Sequence, residues 1–243
     1  MLWSRLDRKR SELQDFYNAR VAEAGDQALA HHVYHTLGGI PLPPETLEAM
    51  GAALWQHLDL GPQDHLLDLC CGNGIFSRMA AHRAGSVTGV DFSSELVRVA
   101  QSAPGPKGLR FLHGDALGLQ ALPELRDRPY SKVLMNCALQ HFAPRASAHL
   151  LDQILSVTTK TPVILLSYVP ERGKEHHFFD TPTKRMRRAW LKLTGRDVFG
   201  HWWCLDDIKG PAAARGLAAE ALRLSPGSPY APYRMHLRLK GRI

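Results

Sequence analysis

The sequence predicts an α/β protein built on a doubly wound, mostly parallel seven-stranded sheet. Three observations carry that expectation. From residue 45 onward, short apolar runs alternate with amphipathic helical stretches. The first run leads straight into a glycine turn, Gly72-Asn73-Gly74. The last two runs follow one another without a helix, the mark of an antiparallel edge hairpin on a parallel sheet.

In chain order, residues 1–40 read as helix, with Leu13, Phe16, Tyr17, Val21, Ala24 and Ala28 spaced three and four apart, until Pro41-Leu42-Pro43-Pro44 stops it. A second helix begins near Glu45, carries Leu47, Met50, Leu54 and Leu58 on one stripe, and ends at Gly61-Pro62. The run His65 to Cys70 opens the sheet, followed by helix from Ile75 toward Arg83. Ser86 to Val90 is the next strand, followed by helix from Ser94 to Gln101. Leu109 to His113 and Lys132 to Met135 are the third and fourth strands, and Ala146 to Val157 is amphipathic through Leu150, Ile154 and Val157. Pro162 to Ser167 is the most apolar run and is expected at the centre of the sheet. Ala219 to Leu224 and Tyr233 to Leu239 close it. The organisation expected is a helical cap over residues 1–44 and one domain over 45–243, with a basic, aromatic lid insertion at 171–204.

Composition narrows the class. The 243 residues are 44% hydrophobic and 22% charged, with a net charge of +7, globular values with a mild bias toward anionic partners. No apolar run approaches the ~18 residues of a membrane span, and no signal peptide follows the N-terminal charges. Four irregularly spaced cysteines, Cys70, Cys71, Cys137 and Cys204, form no disulfide or zinc framework. The expectation is a cytoplasmic protein with free thiols. His31 and His35 sit four apart, but no further ligand accompanies them, so no metal is expected.

The chemistry concentrates in Leu66-Leu67-Asp68-Leu69-Cys70-Cys71-Gly72-Asn73-Gly74. Glycines let a backbone approach a ligand closely. Asp91 ends the next strand, about 20 residues beyond Asp68, where a dinucleotide fold binds ribose hydroxyls. The run Gly72 to Ser77 lacks the third small residue of a pyrophosphate fingerprint, and Asp68 would repel phosphate. An acid there suits a ligand with ribose, a cationic end and no phosphate. S-adenosylmethionine is such a ligand.

With Val87-Thr88-Gly89-Val90-Asp91-Phe92-Ser93, His113-Gly114-Asp115-Ala116 and Val133-Leu134-Met135-Asn136 following in order, the chain resembles the class I S-adenosylmethionine-dependent methyltransferases over roughly residues 45 to 240. The resemblance implies a Rossmann-like methyltransferase fold and a cofactor site of Asp68, Cys70, Cys71, Gly72, Asn73, Gly74, Asp91, Phe92, Ser93, Asp115, Ala116 and Asn136. The first loop would wrap the methionine end, Asp91 would take the ribose, and Asp115-Ala116 would flank adenine. Cys70 departs from the glycine more usual at its position. Val33-Tyr34-His35-Thr36, Gly200-His201-Trp202-Trp203 and Tyr230 to Arg234 further resemble bacterial members grouped with surface-glycan or natural-product biosynthesis.

The function expected is methyl transfer to a hydroxyl or amine of a small-molecule or carbohydrate acceptor, anionic if the lid cations read it. His141, just after the fourth strand, is the candidate base, since an imidazole accepts protons near neutral pH. A ring that shapes the pocket is the competing reading, and His201 is the second candidate. Tyr34, His35, Tyr168, Arg185, Arg188 and Trp202 are the candidate acceptor contacts; Arg holds carboxylate or phosphate bidentately. RNA or protein methylation and a non-catalytic cofactor-binding module are the alternatives. No nucleic-acid partner is expected, because Asn136-Cys137-Ala138-Leu139 stands where base-modifying amino enzymes resemble Asp-Pro-Pro-Tyr.

Overall fold

The computed structural model describes residues 11–19, 21–22, 33, 35–37, 40–194 and 200–241. Its helices and strands are α1 (Pro44–Leu58), β1 (His65–Leu69), α2 (Ile75–Ala80), β2 (Ser86–Asp91), α3 (Ser94–Gln101), β3 (Leu109–His113), β4 (Tyr130–Asn136), α4 (Ser147–Leu155), β5 (Thr158–Pro170), α5 (Pro182–Leu193), α6 (Asp206–Ala213), β6 (Leu217–Arg223) and β7 (Arg234–Gly241). The seven strands form one sheet in the order β3-β2-β1-β4-β5-β7-β6. Every pairing is parallel except those of β7, which runs antiparallel to both β5 and β6. The expected doubly wound sheet is therefore present, with β7 slotted between β5 and β6.

Alternation along the strands builds the two layers. Leu67, Leu69, Val133, Met135, Ile164 and Leu166 face one side, where Leu150, Leu151 and Ile154 of α4 and Ile208 and Ala212 of α6 cover them. Leu66, Leu134 and Leu165 face the other side, against Met50, Leu54 and Leu58 of α1 and Phe76 and Ala80 of α2. Both faces are covered, so the parallel strands read as continuous apolar runs rather than alternating ones. Local signals set the helix ends. Pro44 opens α1, and the Ser93 side chain caps α3 by accepting from the Leu96 N–H at 3.2 Å.

Two expectations change. The middle of the sheet is β4, not β5; β5 is longer, but it begins in exposed residues and lies one place toward the hairpin. Helix does not continue to residue 40: Thr36–Leu37 and Ile40–Pro41 pair as a small antiparallel ladder around Gly38-Gly39 in sequence, whereas residues 11–19 are helical. Helix α6 had no sequence signal strong enough to announce it, because Gly210 and Pro211 interrupt its period.

Two buried histidines make the fold acid-sensitive. Burial pushes His35 and His236 from 6.5 down to about 4, so both stay neutral in the folded chain while the unfolded chain takes up protons below pH 6.5. Their stabilising neutrality is fully present above pH 6.5 and is lost as pH falls toward 4. His236→Phe is expected to remove about 2 kcal/mol of the stability lost between pH 7 and pH 5, read by urea unfolding at both values.

Candidate active site

A cavity of about 940 Å³ opens beyond the carboxyl ends of β1, β2 and β4, where doubly wound sheets bind ligands and toward the upper end of small-molecule pocket sizes. The glycine turn after β1 forms one wall. Cys70, Gly72 and Gly74 all hold left-handed backbone, with φ of 56°, 57° and 80°. Gly74 is required there, since a Cβ would come within 2.5 Å of the Phe111 ring. Cys70 accepts the same conformation at a strain of order 1 kcal/mol, where glycine costs nothing.

Asp91, at the end of β2, fixes this turn. Its carboxylate accepts from the Gly72 N–H at 2.8 Å and the Ser93 N–H at 2.9 Å. A carboxylate has about four acceptor positions, so these backbone bonds do not exhaust it, and Asp91 lines the cavity. Burial raises its pKa, and the backbone donors of Ser93, Gly72 and Phe92 with the charge of His113 oppose that rise. Asp68 lies on the adjacent strand, buried, and accepts from the Ser77 hydroxyl at 2.5 Å. Burial raises its carboxyl to about 7, the Ser77 bond opposes this, and the Asp91 charge adds to it. Among the described residues no cationic side chain pairs with Asp68. A buried carboxylate in that position is suited to a cationic ligand group.

The opposite wall follows β4. Asn136 accepts from the Ser167 hydroxyl at 2.8 Å, and the Cys137 N–H, at φ 54°, donates to the Ser167 carbonyl at 3.0 Å. His141 comes next, its Nε2 3.3 Å from the Tyr17 hydroxyl. Burial drives its pKa down to about 4, and the positive charges of Arg234 and His201 add to that fall. His201 reaches the same cavity from a distant segment. Its N–H donates to the Gln140 carbonyl at 2.7 Å, while Trp203, fully buried, donates its indole N–H to the Leu139 carbonyl at 3.1 Å. Gly200, at φ 75°, permits this approach: a Cβ there would strike the Gln140 carbonyl. That explains Gly200-His201-Trp202-Trp203 as a strap pinned to the loop after β4.

Of the residues singled out from sequence, Asp68, Cys70, Cys71, Gly72, Asp91, Phe92, Asp115, Ala116, Asn136, His35, His141 and His201 all line the cavity. Asn73, Gly74 and Ser93 shape the turns behind it. The thiols of Cys70, Cys71 and Cys137 are pushed up by burial and stay protonated. Four candidate acceptor contacts are not brought there. Tyr168, at φ 52° in a bulge of β5, packs on Tyr230 and His236. Arg188 stacks 4.3 Å over Phe179 and 5.7 Å from Trp202, so both are occupied in packing behind the strap. Arg185 is exposed on α5. Ahead of α5, Phe178 packs beside this aromatic group, its ring 5.1 Å from Tyr233. Tyr34 lies outside the described residues.

Sequence reasoning also missed part of the wall. Leu13 and Tyr17 of the N-terminal helix cover the cavity, and Gln14 and Asn18 tie that helix to Phe92 and Ser93 at 2.8 and 2.6 Å. Arg145 and His149 line the mouth ahead of and within α4. The helical period marked Leu13 and Tyr17, but only as an apolar stripe with no assigned cover.

Residues 66–161 match the profile of a methyltransferase domain family. An uncharacterised methyltransferase of Mycobacterium tuberculosis is 31% identical over 83 residues, 34% of this chain and 40% of that protein. The chain thus spans about two fifths of the length of that relative. The demethylmenaquinone methyltransferase of Chlamydia pneumoniae is 31% identical over 142 residues, 57% of this chain and 58% of its own. In structure, the magnesium protoporphyrin IX methyltransferase of Synechocystis, solved with S-adenosylhomocysteine, superposes with a TM-score of 0.63 at 17% identity, covering 96% of this chain and all of that one. Residues 66–161 are thus similar to a methyltransferase domain, and the likeness in structure shows the methyltransferase fold.

Proposed function

We propose that the chain binds S-adenosylmethionine in this cavity and transfers its methyl group to an oxygen or nitrogen of a small anionic acceptor, a ring compound or a carbohydrate acid. The observation that carries the reading is Asp68, a buried carboxylate with no cationic partner among the described residues, beside an Asp91 that lines the same cavity. The residues fit the cofactor: Asp68 would pair with its ammonium, Asp91 would accept from its ribose hydroxyls, and Asp115 with Ala116 would flank its adenine. Bound there, S-adenosylmethionine would supply an already activated methyl group, so the chain has mainly to align, desolvate and deprotonate the acceptor.

The N-terminal residues Leu13 and Tyr17 exclude water as a cap, and the strap from Gly200 to Trp203 holds His201 against the acceptor side. His141, neutral at physiological pH, accepts the acceptor's proton at Nε2. Acids line the cofactor side, whereas Arg145 lines the other, and the charge of Arg234 reaches His35, Cys137 and His141. This polarity favours an anionic acceptor. Likeness to an enzyme named for demethylmenaquinone supports a small-molecule acceptor. The test is incubation with S-adenosylmethionine and a panel of phenolic, carboxylic and sugar-acid acceptors, read by mass spectrometry. Addition of one methyl group to an acid-bearing acceptor supports the reading; methylation only of RNA or protein overturns it.

A pH dependence follows from Asp68. Its charged form pairs with the ammonium, and that form is lost as pH falls through about 7. Cofactor affinity is therefore expected to drop below pH 7 by up to about tenfold per pH unit. Asp68→Asn is expected to flatten the profile at the weak level, read by calorimetry between pH 8 and pH 6.

A further inference from the structure

The segment 171–204 supplies a surface that the cavity does not use. Helix α5 leaves Met186, Trp190 and Leu193 exposed at 68%, 53% and 87%. Their spacing of four and three sets them on one stripe. Arg188 points to the opposite side, where it packs on Phe179 and Trp202. The stripe therefore faces away from the body of the protein. Arg185 and Arg187 are exposed, one on each side of it, and α5 contains no acidic residue. Exposed apolar surface concentrated in this way marks an interaction face rather than scattered surface residues.

We infer that α5 is an interfacial anchor that lies flat on an anionic lipid surface, with Met186, Trp190 and Leu193 in the headgroup–acyl boundary and Arg185 and Arg187 on the lipid phosphates. An apolar stripe bordered by cations, with a tryptophan in it, has the chemistry of a helix that lies in a bilayer interface. Long cationic side chains keep their charge at the headgroups while their stems follow the apolar surface. Charge selects this occupant over a second copy of the chain. Two α5 stripes packed together would bring their arginine rows side by side without an acid between them, and the whole chain carries +7. The inference stands on α5 alone and does not depend on the acceptor or on methyl transfer.

The test is flotation of the full chain with vesicles of phosphatidylcholine alone and of phosphatidylcholine mixed with phosphatidylglycerol, at low and high salt. The chain is expected to float with the mixed vesicles at low salt, to be largely released at high salt, and to bind pure phosphatidylcholine at least about tenfold less. Met186→Ser/Trp190→Ser/Leu193→Ser and, separately, Arg185→Gln/Arg187→Gln are each expected to lower partition by about tenfold or more. All five positions are exposed, and an unchanged melting temperature confirms an intact fold in each variant. Absence of the wild-type chain from the mixed vesicles at low salt overturns the inference, as does partition that neither variant changes. A wild-type dimer without vesicle binding, dissociated by the serine variant, assigns the stripe to a second copy and also overturns it.

Discussion

His141→Ala is expected to lower turnover about 10²–10⁴-fold while leaving cofactor affinity unchanged, the loss typical of a removed general base. The imidazole stands on the loop that follows β4, on the side of the cavity opposite the glycine turn, 3.3 Å from the Tyr17 hydroxyl. A pKa near 4 leaves it neutral and able to accept a proton throughout the physiological range. It is also a weak base, so it best serves an acceptor whose own proton is already acidic, such as a phenol or an enol. Turnover is accordingly expected to rise as pH passes about 4 and then to be insensitive to His141 ionisation near neutrality. Steady-state rates with an acceptor from the mass-spectrometric panel check both points. A loss of only a few-fold makes His141 part of the pocket wall and moves the role to His201.

Asp91→Ala is expected to weaken S-adenosylmethionine binding by on the order of 1.5–3 kcal/mol, or about 10–150-fold, the worth of a charge-assisted acceptor. Two effects combine. The ribose loses its acceptor, and the Gly72 and Ser93 N–H groups lose the carboxylate that holds the glycine turn. Asp91→Asn separates them, since an amide oxygen still accepts one backbone bond but carries no charge. Its loss is expected to fall between the parent and alanine. Calorimetric affinities equal in all three proteins would remove Asp91 from the site.

Much of this arrangement was legible in the residues because short-range physics encodes it. The apolar runs at 65–69 and 130–136 are strands covered on both faces of the sheet, and Ser93 caps the helix that follows β2. Asp68, the glycine turn and Asp91 could be read together because a strand–turn–helix unit brings neighbours in sequence into one wall. The acceptor side was less legible. His201 and His141 lie 60 positions apart and meet only because Gly200 lets the strap approach the Gln140 carbonyl. Tyr17 joins them from the other end of the chain. Charge alone misplaced Arg185 and Arg188, since the packing of Arg188 on Phe179 and Trp202 orients α5 so that its stripe and Arg185 face outward. Helix α6 escaped notice for a local reason, the Gly210-Pro211 break in its pattern.

The central claim is that Asp68 and Asp91 build a binding site for S-adenosylmethionine at the end of β1 and β2. Calorimetric titration of the full chain with S-adenosylmethionine at pH 8, repeated with Asp68→Asn and Asp91→Ala, addresses it most directly. The expected result is saturable binding of one molecule per chain, weakened at least about tenfold by Asp91→Ala and measurably by Asp68→Asn. No saturable binding by the wild-type chain, or binding that neither substitution weakens, would contradict it.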